Sequence, residues 1–327
     1  MRKLFTLLGV VLAFGAVSLL NAMLYAAEPT EGEVAITEEE LTPAKEPLIV
    51  EYIPIAPSPA AVSVKSLLNV FKDAGALNVT LQEQNKAFPN GGGSVKSISI
   101  KAFHDGAYIY FLLEWTDATE DGMALTPNDF RDAVGLMFPV GKYAVIDVAH
   151  PFSPRMGDRD KPVNIWHWKA DWEKELNVAS GLMDIGSIYP AMHDDYASDT
   201  YNLAIRNTLY TSASLVAGGL AAGNILSLPN RGRSVEDLNA IGFGTLTTQE
   251  HQDVLGNGVW KDGLWHVLIT RPLTTTDPYD VQFIPGDDTV FNVAAWDGSN
   301  GDRNGQKNIS TSWHPIKLEM VQMPVAD

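Results

Sequence analysis

Val95-Lys96-Ser97-Ile98-Ser99-Ile100-Lys101-Ala102-Phe103 is followed by His104-Asp105-Gly106 and then by Ala107-Tyr108-Ile109-Tyr110-Phe111-Leu112-Leu113-Glu114-Trp115. Apolar and polar residues alternate in the first run, and both runs are rich in β-branched and aromatic residues. Side chains one apart on a strand point to opposite faces, so the pattern predicts a hairpin, turned at Asp-Gly and half buried against a second layer. Working outward, short strands are expected at 131–139, 263–270, 281–284, 288–296 and 313–321. Turn signals punctuate them at Asp262-Gly263, Pro285-Gly286-Asp287 and Asp297-Gly298. Repeated short strands with such turns predict a mainly β fold, an antiparallel β-sandwich.

The stretch 173–258 breaks this pattern, being rich in Ala, Gly, Asn and Ser. It carries helical candidates at 197–209 and 234–240, the second with Ser234 as a cap. The expectation is a long, partly helical insertion over one face of the sandwich. At the other end, Met1-Arg2-Lys3 and the apolar run from Leu4 to Leu20 read as a secretory signal peptide over 1–27, placing the mature chain outside the cytoplasm. An uncleaved N-terminal anchor is the competing reading, because Leu24 or Tyr25 falls where a small residue is preferred. Residues 28–48 hold seven glutamates, one lysine and three prolines, and predict an acidic, extended arm. The folded domain is then 49–327, with the insertion inside it.

The chain has 327 residues, a formal charge of −17 and no cysteine. Nucleic acid and anionic membrane surfaces call for a basic footprint that this balance does not provide. Without thiols there is no disulfide scaffold, no thiolate metal site, no iron–sulfur cluster and no thioether-linked haem. Seven histidines are scattered with none at the spacing that places two on one helix face, and no nucleophile elbow or paired-carboxylate pattern stands out. His193-Asp194-Asp195 reads as a solvated loop. The segment Asp297-Gly298-Ser299-Asn300-Gly301-Asp302-Arg303-Asn304-Gly305 has the composition of a calcium loop but lacks its terminal glutamate, so a long turn is the simpler reading.

What remains is the stretch from Arg155-Met156-Gly157 to Val163-Asn164-Ile165-Trp166-His167-Trp168-Lys169-Ala170-Asp171-Trp172. A thioether, an imidazole and three tryptophans lie close together there, which suits one wall of a cofactor pocket. Met156 sits in a Pro- and charge-rich loop, an odd place for a methionine whose role is packing alone. Trp166, Trp168 and Trp172 also suit an ordinary sandwich core. Lys307, at the far end of the Asp297 turn, reads by itself as a surface lysine.

Four segments, in order over about 95–320, resemble the haem b-binding gamma subunits of the ethylbenzene and dimethylsulfide dehydrogenase group. They are Asp129 to Pro139, the Met156 loop with Val163 to Trp172, Trp260 to Leu273, and Ala295 through Lys307 to Trp313. The resemblance implies a β-sandwich akin to DOMON and carbohydrate-binding modules. It further implies a haem b with Met156 and Lys307 as axial iron ligands, so His167 is not expected to bind the iron. Trp166 and Trp168 are expected beside the haem, with Arg155, Lys161 and Arg303 near its propionates. The implied partners are a molybdopterin catalytic subunit, an iron–sulfur subunit and a soluble cytochrome, and the implied role is electron transfer without catalysis. Two other classes compete: a secreted carbohydrate-binding module with exposed tryptophans, and a structural subunit without haem.

Overall fold

A computed structural model describes residues 44, 46–54, 63–141, 154–177, 224–227 and 231–321. In chain order its strands are β1 Leu48–Tyr52, β2 Leu77–Thr80, β3 Gln82–Glu83, β4 Ser97–His104, β5 Tyr108–Thr116, β6 Ala133–Pro139 and β7 Val163–Lys169. They continue with β8 Val235–Ala240, β9 Thr247–Thr248, β10 Leu255–Lys261, β11 Leu264–Pro272, β12 Asp288–Trp296, β13 Asn308–Ile309 and β14 His314–Leu318. Among the described residues two α-helices accompany them, α1 Val64–Phe71 and α2 Ala170–Asn177. Ser63 caps α1 reciprocally with Ser66.

The expected hairpin is β4 with β5. Asp105 accepts the N–H groups of Ala107 and Tyr108 at 2.8 and 2.7 Å, and Gly106 adopts φ 91°, a value that favours glycine. The same device recurs between β10 and β11, where Asp262 and Gly263 take φ 53° and 80° and Lys261 pairs with Leu264. Two positive φ values in a two-residue loop match the right-handed twist of the strands.

Strands run in the order β10-β11-β5-β4-β1-β14-β12-β6-β7-β8-β9 and form two sheets. β12 belongs to both. Its first half, Asp288 to Phe291, pairs with β14, and its second half, Asn292 to Trp296, pairs with β6. The first sheet therefore holds β10, β11, β5, β4, β1 and β14, and the second holds β6, β7, β8 and β9. Between them lie Phe111, Trp115, Phe138, Trp166, Trp168, Trp265 and Phe291, all buried. The pairing is antiparallel except at β1, which runs parallel to both β14 and β4. The last residues of the acidic stretch thus enter the fold, and Ala44 N–H donates to the Trp313 carbonyl at 2.7 Å.

Three sequence expectations are corrected. Residues 235–240 form strand β8, not a helix, and Ser234 turns its hydroxyl to the Gly256 carbonyl at 2.9 Å instead of capping. Both carboxylates of β8 find cross-strand partners, Asp237 with Asn164 at 2.6 Å and Glu236 with Lys169, so tertiary bonds override the local helical signal. Because β8, β9 and β10 are members of the sandwich, residues 235–258 belong to it and not to an insertion. Residues 281–284 are irregular: Val281 and Phe283 plug the core, tied by Phe283 N–H to the Leu273 carbonyl and by the buried Arg271 guanidinium to the Val281 carbonyl. The segments 1–27 and 178–223, with the helical candidate 197–209, lie outside the described residues.

Candidate functional site

β7 sends alternate residues to opposite faces of the second sheet. Asn164, Trp166 and Trp168 point inward. Trp166 meets Phe111 of the opposite sheet edge-on at 6.0 Å, and Trp168 meets Trp265 at 4.9 Å. Both indoles are 0 % exposed and their N–H groups are used, Trp166 on Asn164 at 2.9 Å and Trp168 on Glu173 at 3.1 Å. Trp166 and Trp168 are therefore core residues and do not line a cofactor pocket on the outer face. The period of two that makes them core is what separates them from His167.

Val163, Ile165, His167 and Lys169 point outward, and the outer face gathers the expected ligands. Met156 packs there with Ile165 against Met137, Val163, Ala240, Val290 and Trp313. Its backbone holds φ 61°, uncommon for a residue with a side chain. The Gly242 N–H donates to its carbonyl at 2.8 Å, and Asp158 and Lys161 exchange backbone bonds at 3.1 and 2.9 Å to close the next turn. A Cβ on Gly157 would lie 2.7 Å from the Lys161 carbonyl oxygen, so glycine is required for this closure.

Lys307 reaches the same face from the other side. Arg303 and Gln306 pair across the turn before it, Lys307 N–H donates to Gly91, and its carbonyl accepts Gln84 N–H at 3.0 Å. Its amine stands 4.9 Å from the centre of the Trp296 ring, and that ring lies 4.6 Å from the His167 ring. The floor here is small: Gly135 is the β6 neighbour of His167, and Ala294 is the β12 neighbour of Gly135.

Electrostatics set this face apart. Burial pushes the Lys307 ammonium down to about 8 from an ordinary 10.5, and among the described residues its amine has neither an ion pair nor a hydrogen bond. Burial, followed by the charges of Lys169, Arg131 and Lys307, holds His167 well below its ordinary value, and its Nε2 is buried without a hydrogen-bond partner. Lys169 is pushed down to about 8 by burial against the opposing pull of Glu236, while Arg131 pairs with Asp171 at 2.7 Å. The face is thus apolar at the Met156 end and cationic at the Lys307 end. Such a surface suits a planar, largely apolar ligand with an anionic edge.

Of the expected residues, the structure brings Met156 and Lys307 to one face. Arg155 adjoins Met156, and Lys161 lies in the turn beyond it. Arg303 is exposed, its guanidinium 4.7 Å from the Phe130 ring and donating to the Gly301 carbonyl at 2.7 Å. Residues overlooked in the sequence are Met137, Ile165, Trp296 and Trp313, and the cations Arg131 and Lys169. The alternation of β7, continued through Ile165 and His167, is the signal that pointed to them. Met183, Met192 and the His193 loop lie outside the described residues. Six of the eight tryptophans are buried, and Trp260 and Trp296 are partly exposed. No helix among the described residues is long and apolar enough to cross a membrane.

Comparison with known proteins gives a family and relatives. The family described as ethylbenzene dehydrogenase matches residues 69–308. A protein of Haloferax mediterranei described as a candidate respiratory nitrate reductase heme subunit is 24% identical over 73% of this chain, and the chain spans 63% of that protein. The chlorate reductase subunit gamma of Ideonella dechloratans is 24% identical over 76% of this chain and 77% of its own length. Among solved structures, a family 9 carbohydrate-binding module of Caldicellulosiruptor kristjanssonii in complex with glucose is 10% identical, with a TM-score of 0.37, covering 86% of this chain and all of that one.

Proposed function

The chain belongs to the ethylbenzene dehydrogenase family, and from that premise we propose that it is a non-catalytic electron-transfer subunit holding one non-covalent haem b between Met156 and Lys307. The observation that carries this reading is the Lys307 amine, half-buried against the Trp296 ring on the same face as Met156 and with no ion pair among the described residues. A bare buried ammonium is costly, whereas a neutral amine is an iron ligand, and burial drives lysine toward that form. Met156 contributes a soft thioether, which favours the ferrous state and raises the potential. Arg131 and Lys169, each already paired with a carboxylate, would lend positive field near the propionates, while Lys307 would be the neutral iron ligand.

A haem bound here supplies one-electron transfer. Met156 and Lys307 would hold the iron, so that its role would be to pass electrons and the bond-making chemistry would belong to a partner. The lack of cysteine in all 327 residues requires that the haem be held without thioether bonds. The proposed partners are a molybdopterin catalytic subunit, an iron–sulfur subunit that delivers electrons and a soluble cytochrome that receives them, outside the cytoplasm. Within the family, the acidic arm and the long insertion resemble the gamma subunit of nitrite oxidoreductase, and that complex is the proposed assembly. The test is an absorption spectrum of the native complex, air-oxidised and then dithionite-reduced, followed by acid-acetone extraction. A low-spin b-type spectrum, complete extraction and altered spectra in Met156→Ala and Lys307→Ala are expected. Wild-type absorption in both variants would refute the ligand pair, and protein that stays colourless after haem supplementation would refute the haem itself.

A further inference from the structure

Four carboxylates from separate parts of the chain meet at one end of the sandwich, apart from the outer face. Asp117 follows β5, Asp121 lies in the loop beyond it, Asp132 precedes β6 and Asp297 follows β12. One oxygen of each lies within 4.8 Å of one oxygen of every other. Backbone and side-chain donors orient them. Asp132 accepts Gly298 N–H at 2.8 Å, Asp121 N–H at 2.7 Å and Trp265 Nε1–H at 3.0 Å. Asp297 accepts Ser299 Oγ–H at 2.7 Å and Asn300 N–H at 3.1 Å, and Asp121 accepts Thr119 Oγ1–H at 2.6 Å. A Cβ on Gly298 would lie 2.3 Å from the Phe130 carbonyl oxygen and 2.6 Å from Asp121 Cβ, so glycine lets the last loop close on the group.

What this network leaves over points to a ligand. Asp117 is 5 % exposed; its Oδ1 takes Thr119 N–H, while its Oδ2 is buried and makes no hydrogen bond of normal geometry, the Trp115 indole N–H that acts on this carboxylate being unpaired as well. No lysine or arginine forms an ion pair with any of the four among the described residues; the nearby Lys174 pairs with Glu120 at 3.7 Å. Burial, with added repulsion from the neighbouring carboxylates, pushes Asp117 up to about 6 and Asp132 up to about 7. Several carboxylates gathered without a cation, one with an idle buried oxygen, form an anionic oxygen cage.

We propose that Asp117, Asp121, Asp132 and Asp297 bind one divalent cation of the calcium class. Oxygens on opposite sides of a calcium ion are at most roughly 4.6–5.2 Å apart, from ligand distances of about 2.3–2.6 Å, and the cage fits within that span. Magnesium holds its oxygens at roughly 2.0–2.1 Å and keeps much of its water, so a preassembled all-carboxylate group suits it less. Bound there, calcium ties the ends of β5 and β12 to the start of β6 and offsets the repulsion among the carboxylates. The role is structural, and it is independent of the haem reading.

The experiment uses the full chain, stripped with chelator and returned to physiological salt containing excess magnesium. Calcium should bind one to one with a Kd of about 10−5 M or tighter. Saturating calcium should raise Tm by about 5 °C. Terbium placed in the site should emit under indole excitation, because Trp265 donates to Asp132, and calcium should quench that emission by displacement. The double variant Asp121→Asn, Asp297→Asn, which alters the two less buried members, should bind calcium at least about tenfold more weakly while keeping cooperative unfolding. The proposal is overturned if the wild-type chain shows neither calcium binding nor calcium-displaced terbium emission. It is equally overturned if magnesium alone reproduces the Tm rise, or if the folded double variant binds as wild type does.

Discussion

The two faces of β7 differ by one residue in sequence and by everything in chemistry. Inward, Trp166 and Trp168 fill the space between the sheets with both indole N–H groups bonded. Outward, His167 has an idle buried nitrogen and faces a lysine amine with no ion pair among the described residues. The inward residues of β7, Asn164, Trp166 and Trp168, find all their partners within the chain. Outward, His167 Nε2 does not, and a ligand that completed it would offset the cost of burying an unpaired polar atom. The comparison therefore separates what folds this protein from what the fold is for.

The largest effect should come from the inner face. Trp168→Ala removes an indole packed against Trp265 and Trp115, and loss of a buried tryptophan costs about 3–5 kcal/mol. Urea unfolding of the haem-free chain measures it. Gly258→Ala should destabilise through the same contact, because its Cβ would fall 2.1 Å from Trp168 Cζ2. If Trp168→Ala left stability unchanged but bleached the haem, Trp168 would belong to the pocket after all and the division of the faces would be wrong.

Lys307→Met should have the opposite signature, abolishing the low-spin spectrum while stabilising the haem-free chain by about 1–2 kcal/mol near neutral pH, since a buried unpaired charge is removed. The pH dependence sharpens this. Lys307 is held near 8 in the folded chain against 10.5 unfolded, so the folded state releases its proton first. Haem-free wild-type protein should accordingly gain stability as pH rises from about 8 through 10.5, on top of whatever other groups contribute. In Lys307→Met that increment should be gone. The amine's ring neighbour is Trp296, and His167 beyond that ring feels the charges of Lys169, Arg131 and Lys307. Lys169 is also held near 8 by burial, so the difference between wild type and variant is the quantity to read, not either curve alone.

The β4–β5 hairpin, the two-layer β architecture and strands β6, β11, β12 and β14 were legible in the sequence, because alternation and Asp-Gly turns are local signals; β1, β7, β8 and β10 were not marked as strands. The helical expectation at 234–240 failed because Asp237 and Glu236 are satisfied across strands, by Asn164 and Lys169 of β7 and by Gln249 and Thr248 near β9, and not by their own segment. The pairing of Met156 with Lys307 came from family resemblance and not from spacing: nothing local marks Lys307 as buried. The fate of Trp166 and Trp168 was readable in principle, since an alternating Asn164-Ile165-Trp166-His167-Trp168 puts both opposite His167. The four-carboxylate group was legible only in part, through Asp297, because its other members lie far off in the chain.

The smallest expected effect concerns Arg303, predicted from sequence beside the propionates. Its guanidinium instead lies over Phe130 and donates to Gly301, on an exposed surface. An exposed cation–π contact is worth roughly 0.5–1 kcal/mol, so Arg303→Ala should lower stability by no more than that and leave the haem spectrum and potential unchanged. Arg131→Ala should differ, because the Arg131 charge reaches His167 on the outer face. Removing that positive charge stabilises ferric relative to ferrous haem, so the potential should fall in Arg131→Ala and not in Arg303→Ala. A redox titration of the two variants decides between them. Equal shifts would mean that the cationic end of the outer face extends past Trp296 to the Asp297 turn, and that the boundary drawn between the two faces does not limit the field acting on the haem.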